Sequence, residues 1–406
     1  MRIGIQGFRP ERLKQLRLSA DMTQTELAEK LECAAGNISK WEKGDSCPSA
    51  QSFNRICEIF STTENWLLET PVQGHKTNPS FYRSQVSTHK SSWEIGRVRL
   101  NWLEEISYKL QEALEFPPVD IPLFEGDDAR LIDDSEIERL ATDFRKKWRL
   151  GDGPIKDVVH TLEKSGVVVA RDEIGYVKMD GISKWSLVDN RPYVLLAADK
   201  AAPVRNRFDA AHELGHIVLH SKISSEQYLS HYDLIEKQAH RFASAFLMPA
   251  ESFSYEVSYA TLDTFHSMKP RWNVSIASMI KRCIDLELVS PDAGTRLWKA
   301  RSARGWVKSE PLDDSIPFEQ PKLLSRSVQM LVENKILSKD QLRNELGLPC
   351  ARLERLCNLP KNYFSTSSKD RVLDLKLRTS NTNSRIGSSA PASGHQKVLQ
   401  FPKKPL

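Results

Sequence analysis

No apolar run of roughly 18 residues occurs in this 406-residue sequence, so it offers no membrane-spanning helix. Its start, MRIGIQGFRPERLKQL, lacks the apolar core of a signal peptide, which points to the cytoplasm. The six cysteines (Cys33, Cys47, Cys57, Cys283, Cys350, Cys357) include no CxxC pair. That excludes a cysteine zinc site and reads as reduced thiols rather than a disulfide framework. A surplus of positive charge is also missing where a nucleic-acid binder would show it, since residues 1–70 hold 9 Lys/Arg and 10 Asp/Glu. The formal net charge of +5 is concentrated instead in residues 361–406, with 9 Lys/Arg against 2 Asp/Glu. That end is rich in Ser, Thr, Asn and Pro and reads as a basic disordered tail.

What the chain does have is His212-Glu213-Leu214-Gly215-His216, inside an apolar stretch from Arg207 to His220. On a helix, residues four apart stack on one face, so His212 and His216 are placed to bind one Zn²⁺. Glu213, turned about 100° away, reaches a water on that metal. Zinc lowers the pKa of such a water to about 7, so Glu213 can act on it as a catalytic general base at neutral pH. Pro203 suits a first helical turn, and Phe208, Ala211 and Val218 form an apolar face. Gly215, costly inside a helix, implies that another backbone packs close to the site.

A catalytic zinc needs a third protein ligand. The segment from Leu234 to Pro249 supplies Glu236, one turn before His240 on a helix whose apolar residues are Ile235, Ala239, Phe242, Ala243 and Phe246. Glu236 is expected as the ligand, and His240 as a group bracing a ligand imidazole from behind.

HELGHIVLH followed about twenty residues later by IEKQAHRFASAFLMP resembles the ImmA/IrrE group of zinc metallopeptidases. That group generally shows Glu-x-x-Ala, then Asn or Asp, then Phe-Ala and Leu-Leu-Met-Pro. This chain matches with Glu236, Ala239, Phe242, Ala243 and Leu247-Met248-Pro249. It departs by placing His240 where Asn or Asp is usual and Gln238 where a second acid is common. The likeness extends over roughly 131–295 and implies zinc-dependent cleavage of a protein, by resemblance an XRE-type repressor whose loss relieves repression.

Phe8–Leu68 reads as five short helices. Thr23 with Glu26 marks a capped helix start, and Leu27, Ala28, Leu31, Ile38 and Trp41 are spaced to pack a helix-turn-helix. The pattern Thr-Gln-x-x-Leu-Ala…Ile-Ser-x-x-Glu-x-Gly resembles the XRE, or lambda-repressor-like, family. By that resemblance Gln24 meets the DNA backbone, while Ala35, Gly36, Asn37, Ser39 and Lys40 face the major groove. Asn37 is the best donor for a base edge, since Asn pairs bidentately with adenine. The residues before it offer no side-chain hydrogen bonds, so direct readout is thin and binding is expected to require a homodimer.

The remaining stretches say less. Residues 71–87 are linker-like, and Phe81-Tyr-Arg-Ser84 within them has no assigned role. Ser91–Phe116 has near-helical apolar spacing, ends at Pro117-Pro118, and is expected to pack into a core. Gly166–Ala170 and Pro192–Ala197 read as strands of a small sheet under the zinc helix. Residues 318–360 hold two helical patterns.

The expected architecture is multidomain and mainly α. It comprises an all-α five-helix helix-turn-helix domain (1–70), a linker with a long amphipathic helix (71–130), an α+β zincin-like HExxH peptidase domain with a small sheet (131–300), a small C-terminal helical module (301–360) and the basic tail (361–406). Together these imply a DNA-binding transcriptional regulator with zinc-dependent endopeptidase activity. Its partners would be a double-stranded DNA operator and a protein substrate, with no membrane. A different class stays open, a transcription factor whose zinc domain is a non-catalytic sensor or partner-binding module. Self-cleavage in the 70–90 linker is a further expectation.

Overall fold

The computed structural model describes residues 4–72, 81–82, 90–175, 180–199 and 203–364. The expected tail from 365 onward and most of the 71–87 stretch lie outside the described residues. Among the described residues no helix is long and apolar enough to cross a membrane.

The first five helices are α1 (Pro10–Ser19), α2 (Gln24–Lys30), α3 (Ala35–Lys43), α4 (Ala50–Phe60) and α5 (Glu64–Leu68). Thr23 opens α2 with a reciprocal capping box: its hydroxyl accepts from the Glu26 amide, and the Glu26 carboxylate accepts from the Thr23 amide. Gly44 closes α3 in the left-handed region at φ 76°. Leu27, Ala28, Ile38 and Trp41 are buried between α2 and α3.

A strand of two residues, β1 (Phe81–Tyr82), precedes the long helix α6 (Lys90–Gln111). The sequence suggests a helix running to the prolines at 117 and 118. Instead α6 stops at Gln111, where the amides of Glu112 and Ala113 bond three residues back and tighten the last turn. The chain then turns to bury Phe116, and Arg191 donates to the Pro117 carbonyl at 2.8 Å.

Helices α7 (Asp134–Lys147) and α8 (Val158–Lys164) lead to β2 (Val168–Asp172), β3 (Gly181–Trp185) and β4 (Pro192–Ala197). Sheet order is β1-β3-β4-β2, with β4 parallel to β2 and antiparallel to β3, and β1 antiparallel on β3. Then follow α9 (Pro203–His220), α10 (Ser225–Ser230), α11 (Tyr232–Leu247), α12 (Ala250–Glu256), α13 (Leu262–Trp272), α14 (Ile276–Asp285) and α15 (Pro291–Ala303). Three more helices, one beyond the two patterns visible in the sequence, complete the fold: α16 (Leu323–Glu333), α17 (Lys339–Leu346) and α18 (Cys350–Leu356).

Strand residues alternate between two cores because successive side chains point to opposite faces. Val169, Val194 and Leu196 join the core of α7–α9, α11 and α13–α14. Val168, Ala170, Tyr193 and Leu195 join a second core shared by α1–α6 and α16–α18. The five-helix segment is therefore packed into the rest of the chain, and all described residues fall in one compact unit, Met1–Ser367.

Buried polar contacts reinforce this packing. Arg12 of α1 makes a two-pronged pair with Glu105 of α6 at 2.6 and 2.9 Å, and Trp66 Nε1 donates to the same carboxylate at 2.8 Å. Lys184 of β3 is paired with Glu104 of α6 at 2.6 Å. From the C-terminal helices, the Gly347 carbonyl accepts from the Thr62 hydroxyl at 2.6 Å and the Thr63 amide at 3.1 Å. Carboxylates also seat on helix N-termini, where free amides and the dipole favour negative charge. Glu319 caps α8 through the Val158 and Val159 amides and pairs with Arg207 of α9, while Glu163 accepts from the Lys322 and Leu323 amides at α16.

Candidate metal centre and nucleic-acid interface

Helix α9 lies between the sheet and α11, and nearly all its residues are buried. Gly215 makes the helix contact close: a Cβ there would lie 3.0 Å from the Ala239 carbonyl oxygen and 3.2 Å from Ala239 Cα. That approach carries Glu236 of α11 to the two histidines of α9. His216 Nε2 lies 3.3 Å and His212 Nε2 3.5 Å from the Glu236 carboxylate, and the two Nε2 atoms are 3.0 Å apart. One ligand atom from each of His212, His216 and Glu236 falls within 4.8 Å of the others. Both histidines are fully buried.

Burial pushes the Glu236 carboxyl up, but the facing His212 and His216 rings outweigh it and hold its pKa well below the usual carboxylate range. Two imidazoles and one ionised carboxylate converging on one point form the donor set that suits a divalent zinc ion. The residues present fit that ion.

Glu213, also fully buried, follows His212 on α9. Its carboxylate is backed by β3, since a Cβ at Gly181 would lie 2.7 Å from Glu213 Oε1. Without a Cβ, Gly181 leaves room for the Glu213 carboxylate in this position. Sequence reading missed both β3 and this contact, because Gly-Ile-Ser-Lys-Trp lacks the apolar run of a buried strand. The His240 ring packs edge-on against the His212 ring at 4.8 Å and lies 5.3 Å from Phe208. A cavity of about 650 Å³ opens beside the cluster, with Asp180, Phe208, Lys237, His240 and Trp298 in its wall.

Behind His216 stands a group that neither the His-Glu-x-x-His motif nor its spacing to Glu236 reveals. His216 Nδ1 is 3.2 Å from His220 Nδ1, and His220 Nε2 is 3.1 Å from Gln238 Oε1. Gln238 Nε2 donates to the carbonyls of Ala129 at 2.7 Å and Ile132 at 2.8 Å. Burial, then the neighbouring His216, lower the His220 pKa to about 3 and keep that ring neutral. The available signal was the recurrence of His212, His216 and His220 every four residues along one helix face.

On α3, Ala35, Gly36, Asn37 and Lys40 are exposed and Ser39 is half-buried. Gln24 donates at 2.8 Å to Glu42 of α3, whose carboxylate also takes Arg17 at 2.6 and 3.0 Å. The helix pair is thereby tied together on its polar side.

A helix-turn-helix with an exposed second helix, joined to a domain holding a His-Glu-x-x-His helix and a third carboxylate, defines a helix-turn-helix unit fused to a metallopeptidase-type domain. Comparison agrees: residues 13–67 match the family model described as Helix-turn-helix, and residues 162–283 match that described as IrrE N-terminal-like domain, of the M78 peptidases. The chain thus carries an XRE-type helix-turn-helix domain and an IrrE/ImmA-like domain. The HTH-type transcriptional activator BcrR of Enterococcus faecalis is 43% identical over 58 residues, 14% of this chain and 28% of that relative's length.

Proposed function

We propose that this protein is a DNA-binding transcriptional regulator with a zinc-dependent endopeptidase site that cleaves an XRE-type repressor. The observation that carries the reading is the convergence of His212, His216 and Glu236 beside the buried Glu213 carboxylate. When bound, zinc supplies Lewis-acid activation of water and of the scissile carbonyl. His212, His216 and Glu236 hold it, and the His240 ring packs against the first of these ligands. Glu213 takes the proton of the attacking water on its carboxylate and passes it to the departing amide nitrogen. The α3 face carrying Ala35, Gly36, Asn37, Ser39 and Lys40 meets operator DNA as a homodimer, with Gln24 at the backbone.

Self-cleavage in the linker is a second reading, favoured by one observation. Phe81 pairs with Ser183 and Tyr82 with Ile182, so the linker backbone runs antiparallel to β3 one residue from Gly181, which backs Glu213. An extended chain added to a strand edge is a common mode of peptide recognition.

The test incubates wild type and Glu213→Gln with purified XRE-type repressors. Fragments formed by wild type alone support the endopeptidase, and an N-terminal fragment of the protein itself ending in the linker, again only in wild type, supports self-cleavage. Zinc-loaded wild type that cleaves none of these proteins would contradict the enzyme reading and favour a non-catalytic sensor.

A further inference from the structure

We propose that Gln238 and His220 are positioning residues that set the tautomer of His216, holding its Nδ1 protonated and turning a bare Nε2 toward the metal position. The inference rests on the metal reading of the site and follows from donor and acceptor chemistry together with the full burial of His220, which disfavours a charged ring.

Carbonyl oxygens cannot donate, so the Ala129 and Ile132 oxygens fix which end of the Gln238 amide faces them. An inverted amide would set its own oxygen against two others. Gln238 Oε1, an acceptor only, therefore faces His220 Nε2, and that ring atom must carry a proton. A neutral imidazole has one N–H, which leaves His220 Nδ1 as an acceptor. His216 Nδ1 lies 3.2 Å from it and must donate. In its neutral form His216 then presents an unprotonated Nε2, the atom facing His212 and Glu236. Two backbone carbonyls, 109 and 106 residues before Gln238, thus specify the ligand nitrogen of a helix they do not belong to.

The arrangement also gives Gln238 a reason. An ionised acid at 238 would press negative oxygens against the Ala129 and Ile132 carbonyls, whereas an amide donates to both. Orienting partners behind metal-ligating histidines raise metal affinity by about 10–100-fold.

The experiment records two-bond ¹⁵N–¹H correlations of the histidine rings in metal-free, full-length wild type. His216 is expected as the Nδ1–H tautomer and His220 as the Nε2–H tautomer. A His216 carrying its proton on Nε2, or a His220 carrying it on Nδ1, would overturn the proposal. In parallel, Gln238→Met keeps the side-chain length and removes the amide. Its zinc dissociation constant should rise about 10–100-fold with a mixed His216 tautomer, and an unchanged constant would also overturn it. Wild type that binds no zinc would overturn the metal reading and the purpose assigned to the relay, while the tautomer result would still stand on its own.

Discussion

Gly181 presses against Glu213: a methyl group at residue 181 would sit 2.7 Å from Glu213 Oε1. The strand thereby sets where the carboxylate rests. Gly181→Ala should push Glu213 out of line and lower kcat by about 100-fold, the scale expected for a misplaced catalytic group. Zinc content should stay at the wild-type value. Full turnover of a cleaved repressor by Gly181→Ala would contradict the positioning role.

The Arg12–Glu105 pair ties the helix-turn-helix to the rest of the chain from inside the core, with Glu105 also holding Trp66 Nε1. Removing one partner of a buried pair leaves the other charge uncompensated and costs about 3–5 kcal/mol. Glu105→Ala should destabilise the protein by roughly that amount in a denaturant titration, and amides of α1 and α5 should exchange faster. A loss below about 1 kcal/mol, the scale of a surface pair, would mean that the five helices do not depend on α6.

Glu163, near the end of α8, is buried against the start of α16, and burial raises its pKa to about 7 against the Leu323 and Lys322 amides, which act to lower it. A carboxyl with a raised folded-state pKa contributes stability that is full below its unfolded pKa and lost as pH rises through its folded pKa. Wild type should therefore lose roughly 3 kcal/mol through this group between pH 5 and pH 8. Glu163→Gln lacks that titration, so its melting temperature relative to wild type should climb across the same interval. A difference independent of pH would show that Glu163 is ionised throughout.

Asn37 is exposed near the start of α3, and Lys40 lies one turn on. Asn37→Ala should weaken operator binding by about 1–3 kcal/mol and relax preference at one adenine. Lys40→Ala should weaken all sequences evenly and reduce the salt slope by about one. Binding titrations at several salt concentrations separate the two, and equal effects on operator and random DNA for Asn37→Ala would remove it from base readout.

The sequence carried the local features well. His212, Glu213, His216 and Glu236 could be placed because helical spacing fixes which residues share a face, and the five N-terminal helices because caps such as Thr23 mark their starts. Gly215 announced a close helix contact, and the structure places Ala239 there. What stayed hidden depends on distant partners. β3 includes Lys184, which is tolerated inside because Glu104 and Asn101 of α6 accept from it. Gln238 has no visible purpose until the carbonyls of Ala129 and Ile132 stand beside it. The shared core of α1–α6 and α16–α18 depends on contacts such as Thr62 to Gly347, which no short-range pattern encodes.

The proposed zinc centre is built by His212, His216 and Glu236, with Glu213 acting beside it rather than in it. It is tested most directly by the zinc content of wild type, Glu213→Gln and Glu236→Ala, measured by elemental analysis after dialysis against dilute zinc. About one zinc per chain is expected in the first two and little in the third, as three protein ligands require. Zinc retained by Glu236→Ala, or absent from all three, would contradict it.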